Sequence, residues 1–456
     1  MKKYYIETYG CEMNKSDSLD IARSFDRQGY VQVFDPAEAD VVVINTCAVR
    51  EHAENRIYGR LGYYRNLVKR KKENAETPPV IVLAGCLAQQ RGRGIIDNFP
   101  EVSVVAGTYY FCEIPHLVEE ACEKVEPVIR IDFSREKLLD KSGESLINRE
   151  AENFSVWVPI IRGCSNFCSY CIVPYLRGPE ISRPSGEIIK EIKRLAERGV
   201  VEVKLLGQNV NAYGKDSGDI SFAELLTRIN EIDGIEWIRF LTSHPKDFAE
   251  ESIKRIASLD KVCRHIHLPL QSGSNRILKL MNRKYTVERY LELVDFIRDS
   301  IPECSITTDI IVGFPGEEEV DFEETLKIIH EVKFDDAFTY RYSERPFTKA
   351  ASIKEKVDPS IAARRLEVLI EEQRKISHEK NVEKIGKRGK ALVERTSKKN
   401  KNEYLCKMED GRMVIVPTDK NPGEFIEVKV TGIVGNTLVG EEIGLKIENE
   451  VHCRTS

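Results

Sequence analysis

Short apolar runs alternate with longer amphipathic stretches through most of the chain. Near the N-terminus, residues 4–8, 41–44 and 80–84 read as strands. A helix after the first of them places Leu19, Ala22 and Phe25 on one face, with Asn14 or Ser16 as its cap. This alternation predicts a parallel α/β sheet domain over residues 1–145. From 150 to 380 it repeats six times. Strands are expected at 156–161, 201–205, 237–241, 265–268, 305–311 and 338–342, with helices at 186–198, 222–230, 287–299 and 322–332 between them. Six βα units predict a partial (β/α)6 barrel, which keeps its chemistry in the loops after the strands. A charged helix over 359–384 follows, with Arg364, Arg365, Glu371 and Glu372 on its solvent side. Residues 384–447 change character. Glycines there punctuate Val- and Ile-rich runs at 414–416, 426–430 and 437–439, the pattern of a small antiparallel β-barrel. The polar stretch 136–153 reads as a linker, and the whole as an α/β protein of three domains.

Composition narrows the setting. At 456 residues, 41% hydrophobic and 31% charged, the chain has the material of about three ordinary globular domains. The net charge of −5 points to no partner by itself. Locally, residues 387–401 carry seven basic side chains against one acid, Glu394. Such a rim either holds a nucleic-acid backbone or is a solvated loop. The basic run 65–72 is open in the same way, as a solvated face or a phosphate contact. The N-terminal MKKYYIETYG has no apolar segment of the signal-peptide kind, and the longest apolar run, 80–88, falls short of the ~20 residues that span a bilayer. A cytoplasmic protein without a membrane partner is expected. Twelve cysteines in that compartment point to metal or reduced thiols rather than disulfides.

The cysteines carry the chemistry. Cys164, Cys168 and Cys171 lie on one loop, RGCSNFCSYCIVPYLRG, directly after an apolar strand. Thiolates suit zinc or iron–sulfur clusters. Structural zinc wants four protein ligands, and no fourth Cys or His stands at usable spacing. Three cysteines instead suit a [4Fe–4S] cluster with one iron open to a small molecule. Cys11, Cys47 and Cys86 each follow the carboxyl end of a different predicted strand, so a parallel sheet would bring them to one edge. They are either small buried hydrophobes or the ligands of a second cluster. The remaining loops after strands, GQNVN at 207–211, TSHP at 242–245, QSGS at 271–274 and GFPGE at 313–317, offer amides, hydroxyls and bare backbone. Those groups suit a zwitterion, a ribose and an adenine better than a hydrolytic reaction. No Gly-x-Ser-x-Gly elbow, Walker A loop or His-Glu-x-x-His motif occurs. His265 and His267 alternate on one strand face, and buried, hydrogen-bonded histidine is the plainer reading. Cys112, Cys122, Cys263, Cys304, Cys406 and Cys453 have no ligand-like company and read as structural or surface thiols.

Together these residues resemble the methylthiotransferases, a branch of the radical S-adenosylmethionine (SAM) enzymes, over nearly the whole chain. The resemblance rests on TYGCEMN at 8–14, NTC at 45–47, GC at 85–86, the three-cysteine loop, LGQNVN at 206–211 and YSERP at 342–346. Glu12 replaces the family's usual Gln, and Phe347 stands where a Gly is expected. The resemblance implies that Cys164, Cys168 and Cys171 hold the cluster that cleaves SAM. It implies that Cys11, Cys47 and Cys86 hold an auxiliary [4Fe–4S] cluster carrying a sulfur atom. It further implies a C-terminal RNA-binding TRAM domain, one SAM as methyl donor and one as radical source. The two loops at 206–211 and 342–346 most resemble relatives that methylthiolate C2 of isopentenylated adenosine beside the tRNA anticodon. The implied partners are a tRNA anticodon stem–loop, an electron donor and a sulfur donor, with the chain acting as a monomer. Tyr170 is a candidate for stacking or backbone contact at SAM adenine, and Gln208 and Ser243 are SAM candidates by strand-end position. The alternatives are a relative acting on threonylcarbamoyl-adenosine of tRNA and a non-catalytic iron–sulfur protein that binds RNA.

Overall fold

The computed structural model describes residues 1–48, 51–124, 126–133, 154–397, 400 and 402–444. The expected linker at 136–153 and Cys453 lie outside them. The first unit is an all-parallel sheet of β1 (Lys3–Thr8), β2 (Val31–Gln32), β3 (Val41–Thr46), β4 (Val80–Gly85), β5 (Val102–Ala106) and β6 (Val128–Arg130), in the order β2-β1-β3-β4-β5-β6. Alternate residues of one strand serve two cores. Val41 and Val43 pack with Tyr4, Ile21 and Phe25 on one face, while Val42 and Ile44 pack with Ile57, Leu61 and Tyr64 on the other. Register sets the functional edge. Thr8 pairs with Asn45 and Thr46 with Gly85, so β1, β3 and β4 end level with one another. The helix after β1, Glu12–Arg27, takes Cys11 as its N-cap, so neither Asn14 nor Ser16 caps it. Asn14 is buried one turn in and donates to the carbonyls of Tyr9 and Thr46, tying the helix to two strand ends.

The central unit opens with β7 (Ser155–Pro159), shorter than the run 156–161 suggests. Pro159 has no N–H to continue a ladder. After Ile160 the chain forms β8 (Ile161–Arg162), which pairs antiparallel with β9 (Ile181–Ser182) and closes the base of the cysteine loop. β10 (Glu202–Leu206) and β11 (Trp237–Phe240) join β7 in one parallel sheet. β12 (His265–His267), β13 (Ser305–Val312) and β14 (Asp336–Arg341) make the other. A parallel bridge, Ile238 to Val262, links the halves into an open six-stranded barrel. Helices 185–197, 222–230, 250–258, 287–300 and 319–332 share its core through Ile188, Leu225, Ile253, Leu293 and Ile329. The helix Pro359–Val382 packs on it too, and here one expectation is corrected. Arg365 is buried, not solvent-facing, because Glu317 (2.7 Å) and Glu319 (2.9 Å) pair with it. His267 is buried and His265 partly so; both contact the Thr307 hydroxyl at 3.0 Å.

β15 (Arg388–Thr396), β16 (Glu403–Met408), β17 (Met413–Pro417), β18 (Phe425–Val434) and β19 (Thr437–Glu442) close into a barrel around Val393, Cys406, Val414, Val428 and Val430. Pairing is antiparallel except between β17 and β19, which run parallel. The barrel docks on the central unit. Phe425 packs edge-on against Trp237, and Arg239 donates to the carbonyls of Met408 and Glu409 at 2.8 Å. Two cations of the basic rim serve this docking, Lys387 with Glu303 and Lys390 with Glu236, each at 2.9 Å. Arg388 and Arg395 of the rim are exposed. Among the described residues, no helix is long and apolar enough to cross a membrane.

Candidate active site

Two groups of three cysteines stand at facing strand ends. Level strand ends bring Cys11, Cys47 and Cys86 to one edge of the first sheet. Gly10 permits the approach, since a Cβ there would lie 2.5 Å from the Cβ of Cys47. Burial pushes the Cys86 thiol up to about 11, Arg177 pulls it down, and Cys47 and Cys11 push it up again. The three sulfurs therefore sense one another. Asn14 holds Cys11 through its Oδ1, 3.3 Å from the Sγ.

The second group is held by its own loop and by a distant one. The Cys164 N–H donates to the Gly178 carbonyl at 3.1 Å, and that of Cys171 to the Cys168 carbonyl at 2.9 Å. Gly163 at the loop entrance has φ +78°, and a Cβ would lie 1.9 Å from the Pro179 carbonyl oxygen. Only glycine fits such a place. Ser169 anchors the loop to residues 280–281 through its hydroxyl (2.8 Å) and N–H (2.9 Å). Arg283, buried, places Nη1 3.4 Å from the Cys168 Sγ and donates Nη2 to the Pro269 carbonyl at 2.9 Å. Burial pushes Cys164 up to about 11 and Cys171 up to about 12. Bare thiolates are thus disfavoured at Cys86, Cys164 and Cys171, and bound metal would supply the positive charge that ionises them. Among the described residues no three His, Cys, Asp or Glu side chains gather as ligands of one metal ion. A cluster of four irons and four sulfides is wider than an ion and needs its thiolates further apart.

Between the groups runs a single wall. Ile172, the residue after Cys171, packs with Leu176, Ala48 and Cys86. Arg177, at the end of the same short helix, is buried and donates to Asp17 at 2.8 Å and to Asn14 at 3.2 Å. Arg162 also pairs with Asp17, and with Asp20 at 2.9 Å. The cysteine loop is thereby locked to the first domain.

The barrel mouth carries the remaining candidates. The Ser243 hydroxyl is buried and has no hydrogen-bond partner among the described residues. The same holds for both polar atoms of the Asn211 side chain, for Gln271 Oε1, Tyr342 OH and His244 Nε2. His244 is kept neutral, held down to about 2 by burial and then by Arg283. Its Nδ1 accepts from the Lys246 N–H at 3.2 Å, which puts the ring hydrogen on the orphaned Nε2. Thr242 (φ +70°) and Gln271 (φ +72°) hold left-handed backbone at these strand ends. Buried donors and acceptors without partners are costly, and a polar ligand is the usual reason for them. They suit a small polar ligand with both donors and acceptors. Gln208 is engaged differently, its Oε1 accepting from the Gly163 N–H at 2.6 Å. Tyr170 packs against Ile277, Met281, Phe314 and Ala350, with its hydroxyl 3.5 Å from Arg283. Arg283, Arg177 and Asp17 are absent from the sequence reading, because no local spacing marks a contact made across more than a hundred residues.

Comparison with known proteins bears on the family and the fold. Residues 158–329 match the Radical SAM superfamily, residues 3–107 the Uncharacterized protein family UPF0004, and residues 382–443 the TRAM domain. Among solved structures, the radical SAM methyltransferase TsrM from Kitasatospora setae, with cobalamin and a [4Fe-4S] cluster bound, superposes with TM-score 0.55 at 14% identity, over 77% of this chain and 74% of that one. The cobalamin-dependent SAM radical enzyme OxsB superposes with TM-score 0.52 at 10% identity, over 77% of this chain and 55% of that one. These likenesses show the fold. A tRNA-2-methylthio-N(6)-dimethylallyladenosine synthase of Thermoanaerobacter pseudethanolicus is 46% identical over 96% of this chain and 92% of its own length. The synthase of that name from Dictyoglomus thermophilum is 45% identical over 97% of this chain and 99% of its own. Identity at this level over nearly the full length of both chains means that the chain belongs to the family of the tRNA-2-methylthio-N(6)-dimethylallyladenosine synthases.

Proposed function

We propose that the chain is a radical SAM methylthiotransferase that converts N6-isopentenyladenosine beside the tRNA anticodon to its 2-methylthio derivative. The observation that carries this reading is the shared wall, on which Ile172 from one cysteine loop packs against Cys86 of the other group. A reaction that needs both a radical and a sulfur atom at one carbon requires two such sites side by side. Cys164, Cys168 and Cys171 would hold the SAM-cleaving cluster, and Cys11, Cys47 and Cys86 the auxiliary one. When bound, these groups supply reductive cleavage of SAM and the sulfur atom that is transferred.

The chain's own residues position and shield. Arg283 sets a fixed positive charge beside Cys168, and Arg177 one beside Cys86. Each offsets negative charge that accumulates on a buried cluster. Gln208 holds the loop entrance through Gly163. Ser243, Asn211, Gln271 and the Nε2 hydrogen of His244 are available to SAM, and Tyr170 contributes backbone and ring edge. The anticodon stem–loop is the RNA element presented, since its unpaired bases reach a pocket without a duplex having to open. An electron donor, a sulfur donor and a monomeric chain complete the reading.

The test is a split phenotype in anaerobically reconstituted enzyme. Cys168→Ala abolishes formation of deoxyadenosine from SAM, while Cys47→Ala spares it and stops methylthio transfer to isopentenylated tRNA. Unchanged product from the Cys47 variant would overturn the auxiliary role. Turnover of threonylcarbamoyl-adenosine in place of isopentenyladenosine would overturn the substrate.

A further inference from the structure

Beside the cysteine loop two bulky side chains hold backbone that such residues rarely adopt. Phe167 has φ +50° and Phe347 φ +69°. Both rings are exposed, Phe167 by 47% and Phe347 by 64%. Tyr175 lies between them, its ring centroid 6.0 Å from that of Phe167 and 6.4 Å from that of Phe347. Three rings, two from the cysteine loop and one from residue 347, thus form one row on the rim of the candidate site. Packing does not account for it, because a ring placed for burial would be covered, and a strained turn left to itself favours glycine.

The surroundings name an occupant. Asn282 donates to the Phe167 carbonyl at 2.9 Å, which brings exposed Lys284 two residues along the same turn. Asn166, next to Phe167, accepts from the Lys246 ammonium at 2.6 Å, and that ammonium also lies 3.5 Å from Asp247. Flat apolar faces flanked by cations match a nucleic-acid strand, whose bases stack and whose phosphates pair with lysine.

We propose that Phe167, Tyr175 and Phe347 form a stacking ledge that takes an unpaired nucleobase of the RNA substrate, next in sequence to the base that enters the pocket. The proposal rests on the RNA substrate assigned above. Stacking recognises the π-face that every base has, so the ledge supplies affinity and register rather than sequence readout. Phe347 is its most exposed member.

The experiment is equilibrium binding of a fluorescein-labelled anticodon stem–loop to the reconstituted full-length protein, by anisotropy, with thermal unfolding of each variant. Phe347→Gly is expected to weaken binding about 5- to 100-fold. Its thermal midpoint is expected to be unchanged or higher, since glycine relaxes the turn. Phe347→Trp should bind as the wild type does. With an abasic site on one side or the other of the target adenosine, one of the two RNAs should be bound equally by wild type and Phe347→Gly. Equal affinity of the two proteins for intact RNA would overturn the ledge and leave the substrate assignment standing. So would a weakened variant whose thermal midpoint has fallen, because that marks Phe347 as a packing residue. A wild-type protein that ignores the stem–loop would overturn both readings.

Discussion

Asp17 is the residue on which the two cysteine-bearing domains are joined. Its side chain is fully buried and receives guanidinium groups from Arg162 and Arg177, both of the next domain. Removing one partner of a buried pair costs about 3–5 kcal/mol, because the charge left behind has no water to return to. Asp17→Asn should lower the free energy of urea unfolding by that amount, with the fluorescence transition shifted to lower urea. That Cys11, Cys47 and Cys86 come to one sheet edge was legible without the structure, since each follows the carboxyl end of a strand in a parallel sheet. Arg283 was not. Its contact with Cys168 spans 115 residues of sequence, and an arginine in a polar loop looks like any solvated charge.

At the scale of elements, the hydrophobic runs announced strands well wherever they were long and buried on both sides, as β3 and β13 are. They failed where a local rule intervened. Pro159 splits one expected strand in two, and the second piece becomes the antiparallel clasp under the cysteine loop. Helix 250–258 was missed because its apolar face is narrow, with Ile253 and Ile256 as its buried positions. The clasp leads to a prediction about the loop it closes. Gly163→Ala would drive a methyl group into the Pro179 carbonyl in a conformation that alanine resists. The variant should fold, yet retain about four of the about eight irons of two clusters on reconstitution, read as iron and acid-labile sulfide per chain.

For the whole molecule, the order of three domains was legible from changes of pattern, but their docking was not, because it is built from single long-range contacts. Glu202, Arg239 and the carbonyls of Met408 and Glu409 form the joint between the central barrel and the TRAM domain. Burial alone would raise the Glu202 carboxyl, but Arg239, then Lys204 and Lys407, bring it down to about 2 from an ordinary 4.5. The folded protein therefore holds that proton less readily than the unfolded chain. The stabilisation is complete above about pH 4.5 and is lost as the pH falls toward 2. Trp237, stacked edge-on against Phe425 of the TRAM barrel, reports the joint. Its fluorescence should change across that window in the wild type, and Glu202→Gln should start weaker and show a flatter response.

The pairing of Asp17 with residues far downstream also has a consequence for synthesis. When the first sheet has left the ribosome, Asp17 is in place but Arg162 and Arg177 have yet to emerge. Until they emerge, the nascent domain must keep a carboxylate unpaired or stay open to water around it. The edge that carries Cys11, Cys47 and Cys86 therefore closes late, under control of the segment that bears the other three cysteines. Ribosome-stalled chains in which the first sheet has emerged but residue 162 has not should lose this domain readily to protease, and chains stalled well beyond residue 177 should protect it.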